Sequence, residues 1–358
     1  MDVTTGMLTV GELAGVARVM RERGVEITGP LEASLIVGGR SNLTYRLRDS
    51  ASAPPADGWV LRTPPRAGRT PSAHDVAREY RVTAALADTA VPVPTARVLH
   101  EAPDLLGGPF AVCDYVPGRG IQTRDDLDLL DDADVALVAT RLVETLVDLH
   151  QVDQVAVGLE DFGRSDGYAQ RQLRRWAAQW ELVGDPALTA QSRWVSSRLA
   201  ELVPPQRATS IVHGDFRIDN TILAPGESAP AGLGIAAVVD WELSTIGDPV
   251  ADVATMCAYR DVAFDLIVGA PSAWASPRLP SVDTLAGLYE RSAGGRLDGW
   301  EFHLALAYFK VAVIAAGIEH RRAQGSGHGA GFDTAGQAVE PYLARARHSL
   351  SHYPRRIA

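Results

Sequence analysis

Lysine is almost absent from this sequence. Lys310 is the only one among the 34 lysine and arginine residues, so arginine supplies every other strong side-chain cation. Cysteine is scarce as well, because Cys113 and Cys257 are the only two and neither has a CxxC partner. Two isolated cysteines exclude a disulfide framework, and a reducing compartment is the simpler expectation.

Basic charge is in deficit, with 34 lysine and arginine residues against 44 aspartate and glutamate residues and a formal net charge of −10. General nucleic-acid binders need basic surface to neutralise phosphates, so this class is excluded. Residues 1–5 lack the basic start and apolar core of a signal peptide. The most apolar helix candidate, residues 304–318, is too short to span a bilayer and carries Lys310. We therefore expect a cytoplasmic protein with no nucleic-acid partner and no membrane partner.

The 358 residues exceed a typical single domain, and their patterning divides them into two parts. An amphipathic helix over residues 8–23 opens the first part, and a helix that begins near Ser72 and contains Glu79 follows the third of its strands. Turns rich in glycine and proline separate five predicted strands, at residues 31–37, 43–48, 59–63, 96–100 and 110–115. This pattern is typical of an antiparallel sheet with one inserted helix.

The second part is mostly helical. Its predicted helices cover residues 131–152, 167–183, 189–202, 248–259, 282–293, 299–322 and 334–352. Short strands interrupt them at residues 211–213, 221–223 and 236–239. We therefore assign an α+β fold with a small antiparallel β lobe over residues 1–115 and a larger, mainly helical lobe over residues 116–358.

The segment from His213 to Asn220 carries the most chemical information. Asp215 stands two residues after a histidine and five residues before an asparagine, which is the spacing of a kinase catalytic loop. In such a loop the aspartate faces the attacking hydroxyl, and the asparagine oxygen returns across a short turn to bind magnesium. Twenty residues beyond Asn220, an apolar strand ends in Asp240, which offers a second oxygen ligand.

Three motifs together resemble those of the aminoglycoside phosphotransferase/choline kinase-like superfamily. They are His213-Gly214-Asp215-x4-Asn220, Val239-Asp240-Trp241-Glu242 and Gly247-Asp248-Pro249-x2-Asp252. The Asp-Trp-Glu version is similar to the kinase-like domain associated with some acyl-CoA dehydrogenases. The resemblance implies a protein-kinase-like two-lobe fold, in which residues 1–115 bind ATP and residues 116–358 hold the catalytic loop and the acceptor.

The resemblance also implies roles for individual residues. Asp215 would be the catalytic base, or the group that orients the acceptor hydroxyl. Asn220 and Asp240 would hold Mg2+. His213 would brace the loop, and Asp252 would bind the loop backbone.

The role of Glu242 stays open. It lies two residues beyond Asp240 and would project to the same side of a continuing strand. A metal contact, a contact with a substrate cation and a cap on the next turn are all compatible with that position.

A glycine-containing turn between the first two strands is predicted to cover the phosphates of the nucleotide. Gly39 lets backbone N–H groups approach phosphate, while Ser41 and Asn42 add donors. The third strand carries Arg62 where kinases place a lysine, and Glu79 on the next helix is its expected partner. A guanidinium is permanently charged and can bind two phosphate oxygens, so we expect Arg62 to contact the nucleotide.

The fifth strand resembles the hinge of a kinase, whose backbone binds the adenine edge. In that interpretation Asp114 and Tyr115 contribute backbone groups, and ATP is the expected nucleotide. Cys113 is expected to be a small buried apolar residue.

Two features point to different acceptors. Six aspartates between residues 125 and 134 could recruit a polycationic aminoglycoside, or could cap helix starts. Arg171, Arg174 and Arg175 would suit an anionic substrate, or could form a surface stripe with Trp176 and Trp180 turned inward. The acceptor and the oligomeric state stay open.

We predict Mg2+-dependent transfer of the ATP γ-phosphate to a hydroxyl of a small molecule, such as an endogenous hydroxylated metabolite or a hydroxyacyl compound. The alternatives are an aminoglycoside kinase that gives antibiotic resistance and a nucleotide-binding pseudokinase. A protein kinase is a weaker alternative, because the sequence lacks the Asp-Phe-Gly and Ala-Pro-Glu activation segment.

Overall fold

The computed structural model describes residues 7–36, 42–52, 58–65, 75–225, 232–325 and 329–351. The chain divides into two compact units. The first unit comprises residues 1–119, 222–224 and 236–244, and the second comprises residues 120–221, 225–235 and 245–358.

The first unit contains a five-stranded sheet whose neighbouring strands are all antiparallel, in the order β1-β2-β3-β5-β4. Its elements in chain order are α1 (Val10–Glu22), β1 (Leu31–Leu35), β2 (Leu43–Asp49), β3 (Trp59–Thr63), α2 (Val76–Ala85), β4 (Ala96–His100) and β5 (Phe110–Asp114). The prediction of five antiparallel strands with a helix after the third is confirmed. Helix α2 is capped by Asp75, so it begins later than the sequence indicated, and Ser72 lies outside the described residues.

The apolar face of α1 packs against this sheet. Thr9 and Glu12 begin the helix with a capping box, in which each side chain bonds the backbone of the other residue. Val16 and Met20 project from the helix into a core that the sheet completes with residues such as Leu47, Leu61 and Val112. The helical spacing of the apolar residues in α1 therefore has its counterpart in the inward-facing residues of the strands.

The second unit is mainly helical. The boundaries between the units fall within three short strands, β6 (Arg119–Gly120), β8 (Thr221–Pro225) and β9 (Leu233–Val238), and between Ser244 and Thr245. Its other strands are β7 (Ser210–Val212) and β10 (Thr245–Gly247). Its helices are α3 (Arg124–Asp128), α4 (Asp132–Gln151), α5 (Tyr168–Val183), α6 (Thr189–Leu202), α7 (Pro249–Ala258), α8 (Phe264–Val268), α9 (Val282–Ala293), α10 (Trp300–Ala323) and α11 (Val339–Ser351). The sequence did not predict α3, α8, β6 or β10, which are all five residues or shorter.

Helix α10 corrects one prediction. It is 24 residues long, and among the described residues it is the one helix that could cross a membrane by length and composition alone. The expectation that this segment is too short was therefore wrong, because the helix continues beyond its apolar centre. Most of its apolar window (83%) is buried inside the protein, where α10 packs against α5, α7 and α11. Burial in a helical core explains its apolar composition.

Leu61 lies on the central strand of the first unit and is fully buried. We expect Leu61→Ala to lower the free energy of unfolding by about 2–5 kcal/mol, because it removes buried methyl groups and leaves a cavity. Leu35, which is 46% exposed on the edge strand β1, provides the matched control, and Leu35→Ala should change stability by less than about 0.5 kcal/mol. Urea denaturation followed by circular dichroism measures both, and equal losses would contradict this placement of Leu61.

Candidate functional site

Two short strands in the second unit present the segment with the catalytic-loop spacing. β7 pairs antiparallel with β10, so that buried Ile211 lies opposite buried Ile246. The chain then turns through Gly214, whose φ of +81° lies in the left-handed region that glycine adopts without a side-chain clash. A single turn of 3-10 helix, Ile218–Asn220, ends the loop.

The backbone of this loop is fixed by a buried carboxylate. Asp252, in the first turn of α7, accepts hydrogen bonds from the N–H of His213 (2.6 Å) and the N–H of Gly214 (2.8 Å). The Nε2 atom of His150 donates to the same carboxylate over 3.3 Å, and the hydroxyl of Tyr289 lies 2.8 Å from Nδ1 of that imidazole. Burial raises the pKa of Asp252, but these hydrogen bonds and the nearby histidines hold the pKa below its ordinary value. The loop is therefore bound to an ionised carboxylate.

The side chain of Asp215 is held on several sides. The Nδ2 atom of Asn220 donates to the carbonyl oxygen of Asp215 (2.8 Å) and to its Oδ2 (2.9 Å). Arg217 donates to both carboxylate oxygens, from Nε over 3.3 Å and from Nη2 over 3.1 Å. Burial raises the pKa of Asp215, but Arg217 and Lys310 hold it below its ordinary value. Asp215 is therefore a negatively charged acceptor of hydrogen bonds.

Arg217 is itself enclosed by charged and aromatic neighbours. It forms an ion pair with Asp219 as well as with Asp215, and its guanidinium lies 5.4 Å from the ring centre of Tyr259 and 5.1 Å from that of Phe264. Tyr259 also bonds Asp215 through its hydroxyl. Burial raises the pKa of Asp219 to about 6 despite the neighbouring arginine.

Sequence reasoning did not assign these supporting residues. Arg217 lies inside the recognised motif, and its charge was the available signal. Tyr259, His150 and Tyr289 carry no motif and reach the loop only through tertiary packing. For Lys310 the one indication in the sequence was that it is the only lysine. In the structure its Nζ lies 2.9 Å from the carbonyl oxygen of Gly214.

In the first unit, Arg62 on β3 connects two carboxylates. Its Nε lies 3.2 Å from Oε2 of Glu79, and its Nη2 lies 3.3 Å from Oδ1 of Asp240. The structure thus brings together the arginine and the glutamate that the sequence paired. Asn42 is buried here, and its Nδ2 donates to Oε1 of Glu79 over 3.2 Å. The sequence suggested that the Asn42 side chain donates to a phosphate, whereas in the structure its Nδ2 donates to Glu79.

Asp240 occupies an unusual backbone conformation. Its φ of 66° makes it the one non-glycine residue with positive φ among those that the structure describes. Aspartate tolerates this left-handed conformation better than most residues do, and such residues concentrate at functional sites. The carboxylate oxygens of Glu79, Asp240 and Glu242 all lie within 4.8 Å of one another.

The three carboxylates lie close together beside the guanidinium of Arg62. The pKa of Glu79 is raised to about 7, chiefly by burial, while Asp240 and Glu242 add to the increase and Arg62 opposes it. A set of hard oxygen donors fits a divalent cation such as Mg2+. Asn220 in the second unit directs Nδ2 to Asp215, so its Oδ1 is the amide atom that suits a metal.

A cavity of about 270 Å³ lies within the first unit. Arg62, Glu79 and Asp240 line it together with a predominantly apolar wall, which includes Val60, Val112, Ile222 and Val238. Apolar walls with a few charged groups are typical of small-molecule sites.

The predicted hinge residues Asp114 and Tyr115 also line this cavity, but both of their N–H groups bond protein carbonyls. The N–H of Asp114 donates to Thr95 over 2.9 Å, and that of Tyr115 donates to Gly58 over 3.1 Å. Any backbone contact of these two residues with a nucleotide base therefore falls to their carbonyl oxygens. Burial raises the pKa of the Cys113 thiol to about 12, which fits an unreactive thiol, but Cys113 is half-buried and lines this cavity, so it is less enclosed than the sequence predicted. Gly39 and Ser41 lie outside the described residues.

Most aspartates of the cluster in α3 and at the start of α4 form hydrogen bonds or ion pairs within the protein. Asp126 completes a capping box with Thr123, and Asp131 caps α4 by accepting from the N–H of Asp134. Asp128 and Asp132 pair with Arg278. Helix capping and ion pairing thus explain most of this charge without a polycationic ligand.

The basic helix α5 has its aromatic residues turned inward to different degrees. Trp180 is buried and Trp176 is half-buried, while Arg174 and Arg175 are exposed. Arg171 donates to the carbonyl of Arg164. The arrangement matches the predicted surface stripe.

Comparison with known proteins identifies the family of the chain. Residues 32–292 match the family described as "Phosphotransferase enzyme family". The chain is 34% identical over 324 residues to mouse acyl-CoA dehydrogenase family member 10, covering 88% of this chain and 29% of that protein. It is 32% identical over 309 residues to human acyl-CoA dehydrogenase family member 11, covering 83% of this chain and 37% of that protein. The match thus spans about a third of the length of these curated relatives.

Solved structures show the same fold. A presumed aminoglycoside phosphotransferase from Ralstonia eutropha JMP134 aligns with a TM-score of 0.78 at 30% identity, over 94% of this chain and 98% of that one. A thermostable mutant of aminoglycoside phosphotransferase APH(4)-Ia, in complex with AMP-PNP and hygromycin B, aligns with a TM-score of 0.58 at 16% identity, over 94% and 98% of the two chains. The protein-kinase-like fold and the predicted resemblance are confirmed, and the chain belongs to the phosphotransferase enzyme family.

Proposed function

We propose that this chain transfers the γ-phosphate of ATP to a hydroxyl group of a small molecule in a Mg2+-dependent reaction. The observation that carries the proposal is the half-buried, ionised Asp215, held by Asn220 in a loop whose backbone is bound to Asp252. An ionised aspartate in this position can accept a hydrogen bond from an acceptor hydroxyl and orient its oxygen for attack on phosphorus.

The other residues take roles that their chemistry supports. Asn220 and Asp240 would hold Mg2+, and Glu242 contributes a further carboxylate beside Asp240. When bound, the metal supplies positive charge that neutralises phosphate oxygens. Arg62 would contact the nucleotide phosphates from the cavity wall, with Glu79 fixing the orientation of its guanidinium.

A hydroxylated metabolite or a hydroxyacyl compound is the proposed acceptor class. The names of the curated relatives connect this kind of sequence with acyl-CoA dehydrogenases. Four of the six aspartates that would recruit an aminoglycoside take part in capping or in ion pairs with Arg278. An aminoglycoside acceptor is therefore the less favoured alternative. A pseudokinase is disfavoured because the aspartates and the asparagine needed for transfer are all present.

Asp215→Asn should lower the turnover number at least about a hundredfold, because the amide is a much poorer acceptor for the hydroxyl proton. The measurement is ADP release across amino sugars, amino alcohols and hydroxy acids, with and without Mg2+. Glu201→Gln removes a carboxylate that is 63% exposed and serves as the matched control. Wild-type rates in Asp215→Asn would overturn the catalytic role. Thermal stabilisation by ATP without turnover of any acceptor would favour the pseudokinase.

Arg62→Ala should reduce kcat/KM for ATP by about two orders of magnitude, because it removes the cation that faces the phosphates. Since this change also leaves Glu79 without its arginine, Arg62→Lys tests the charge alone and should retain more activity than Arg62→Ala. Arg18→Ala, at a side chain 59% exposed on α1, is the control. An ATP dependence that is unchanged in Arg62→Ala would remove Arg62 from the nucleotide site.

A further inference from the structure

The only lysine in the chain lies against the catalytic loop. Arginine supplies every other strong cation, including those that pair with carboxylates at the surface and in the interior. Lys310 stands in the middle of α10, between buried Phe309 and buried Val311. A sequence that uses arginine everywhere else has therefore kept an ammonium at this one position.

The ammonium binds the peptide group that immediately precedes Asp215. Nζ of Lys310 donates to the carbonyl oxygen of Gly214 over 2.9 Å. The N–H of that same peptide group, which belongs to Asp215, donates to Nδ1 of His213 over 3.3 Å. Both polar ends of the Gly214–Asp215 peptide are thus bound.

The preceding peptide is bound as well, because the N–H of Gly214 donates to Asp252 over 2.8 Å. Gly214 is consequently held from its nitrogen by an anion on α7 and from its oxygen by a cation on α10. A glycine has wide conformational freedom, so these two contacts restrict the backbone angles that Gly214 adopts at its φ of +81°. Those angles contribute, together with Asn220 and Arg217, to the direction of the Asp215 side chain.

The charges around Lys310 agree with this position. Burial lowers the pKa of Lys310, while the carboxylates of Asp215 and Asp252 oppose that decrease and Arg175 reinforces it. The ammonium therefore lies within electrostatic range of the two carboxylates that define the loop.

The geometry favours an ammonium over a guanidinium. The contact is a single carbonyl oxygen, and an ammonium is a compact point charge that can approach one acceptor. A guanidinium is planar, bulkier and suited to two parallel acceptors, so an arginine at position 310 would present its donors to the Gly214 carbonyl in a different geometry.

We propose that Lys310 is a positioning residue for phosphoryl transfer, which acts through Gly214 to hold Asp215 in its working direction. This proposal rests on the proposed function, because it concerns the residue that faces the acceptor. It predicts that charge alone is insufficient at position 310.

The kinetic test compares Lys310→Met and Lys310→Arg with the wild type. Both variants should lose about tenfold to a hundredfold in kcat, because small displacements of a catalytic group cost that much, while KM for ATP changes by less than about twofold. Arg322→Met removes an exposed cation from the same helix and should leave both constants unchanged. A wild-type kcat in Lys310→Met, or full activity in Lys310→Arg, would overturn the proposal.

A spectroscopic test needs no acceptor. Because the chain has one lysine, growth with 13C,15N-lysine and a lysine-free purification tag yields one side-chain signal that requires no assignment. Asp215→Asn should shift the Cε and Nζ signals of Lys310 more than Glu201→Gln does. Chemical shifts equal to those of a solvated lysine, and unchanged by Asp215→Asn, would contradict the proposed position of the ammonium.

The two tests separate the two possible failures. If the wild type transfers phosphate to no acceptor but the lysine signal responds to Asp215→Asn, the proposed function fails and the position of Lys310 at the loop stands. If transfer occurs and Lys310→Met retains the wild-type kcat, the proposed function stands and the positioning role fails.

Discussion

The hydrogen bonds from the backbone of His213 and Gly214 to the carboxylate of Asp252 are the constraint on which the second unit's site depends. A buried carboxylate is costly unless it is well bonded, and here the loop amides and His150 provide those bonds. The loop needs the same anion, because its N–H groups are also buried. The carboxylate and the loop N–H groups therefore satisfy each other's hydrogen bonding. This pairing holds the backbone next to Asp215, beyond the end of β7, in one defined position.

The first unit also brings opposite charges together. Three carboxylates converge beside the guanidinium of Arg62. Burial is the largest cause of the raised pKa of Glu79, and the neighbouring carboxylates of Asp240 and Glu242 add to it. A divalent cation beside these oxygens would add positive charge. Arg62 performs the pairing expected of a kinase lysine, and its larger, forked head allows it to reach Glu79 and Asp240 together.

The sequence could predict most of the fold because strand alternation, helical periodicity and turn residues are local signals. The five strands of the sheet and the long helices were found on that basis, while α3, α8 and β10 are too short to show a period. In the site, motif spacing identified Asp215, Asn220 and Asp240. Tyr259, His150 and Tyr289 could not be found, because only tertiary packing brings them to the loop. The bound N–H groups of Asp114 and Tyr115 likewise depend on contacts with distant residues.

Transfer of the ATP γ-phosphate to a hydroxyl group is the reaction that we propose for this chain. Phosphorus-31 NMR of the protein with ATP, Mg2+ and a panel of hydroxy acids and hydroxyacyl thioesters tests it most directly, because the spectrum identifies the product that carries the phosphate. We predict that the γ-phosphate signal of ATP decreases while the signals of ADP and of a phosphate monoester increase together. Unchanged ATP throughout the panel, or release of inorganic phosphate alone, would contradict the claim.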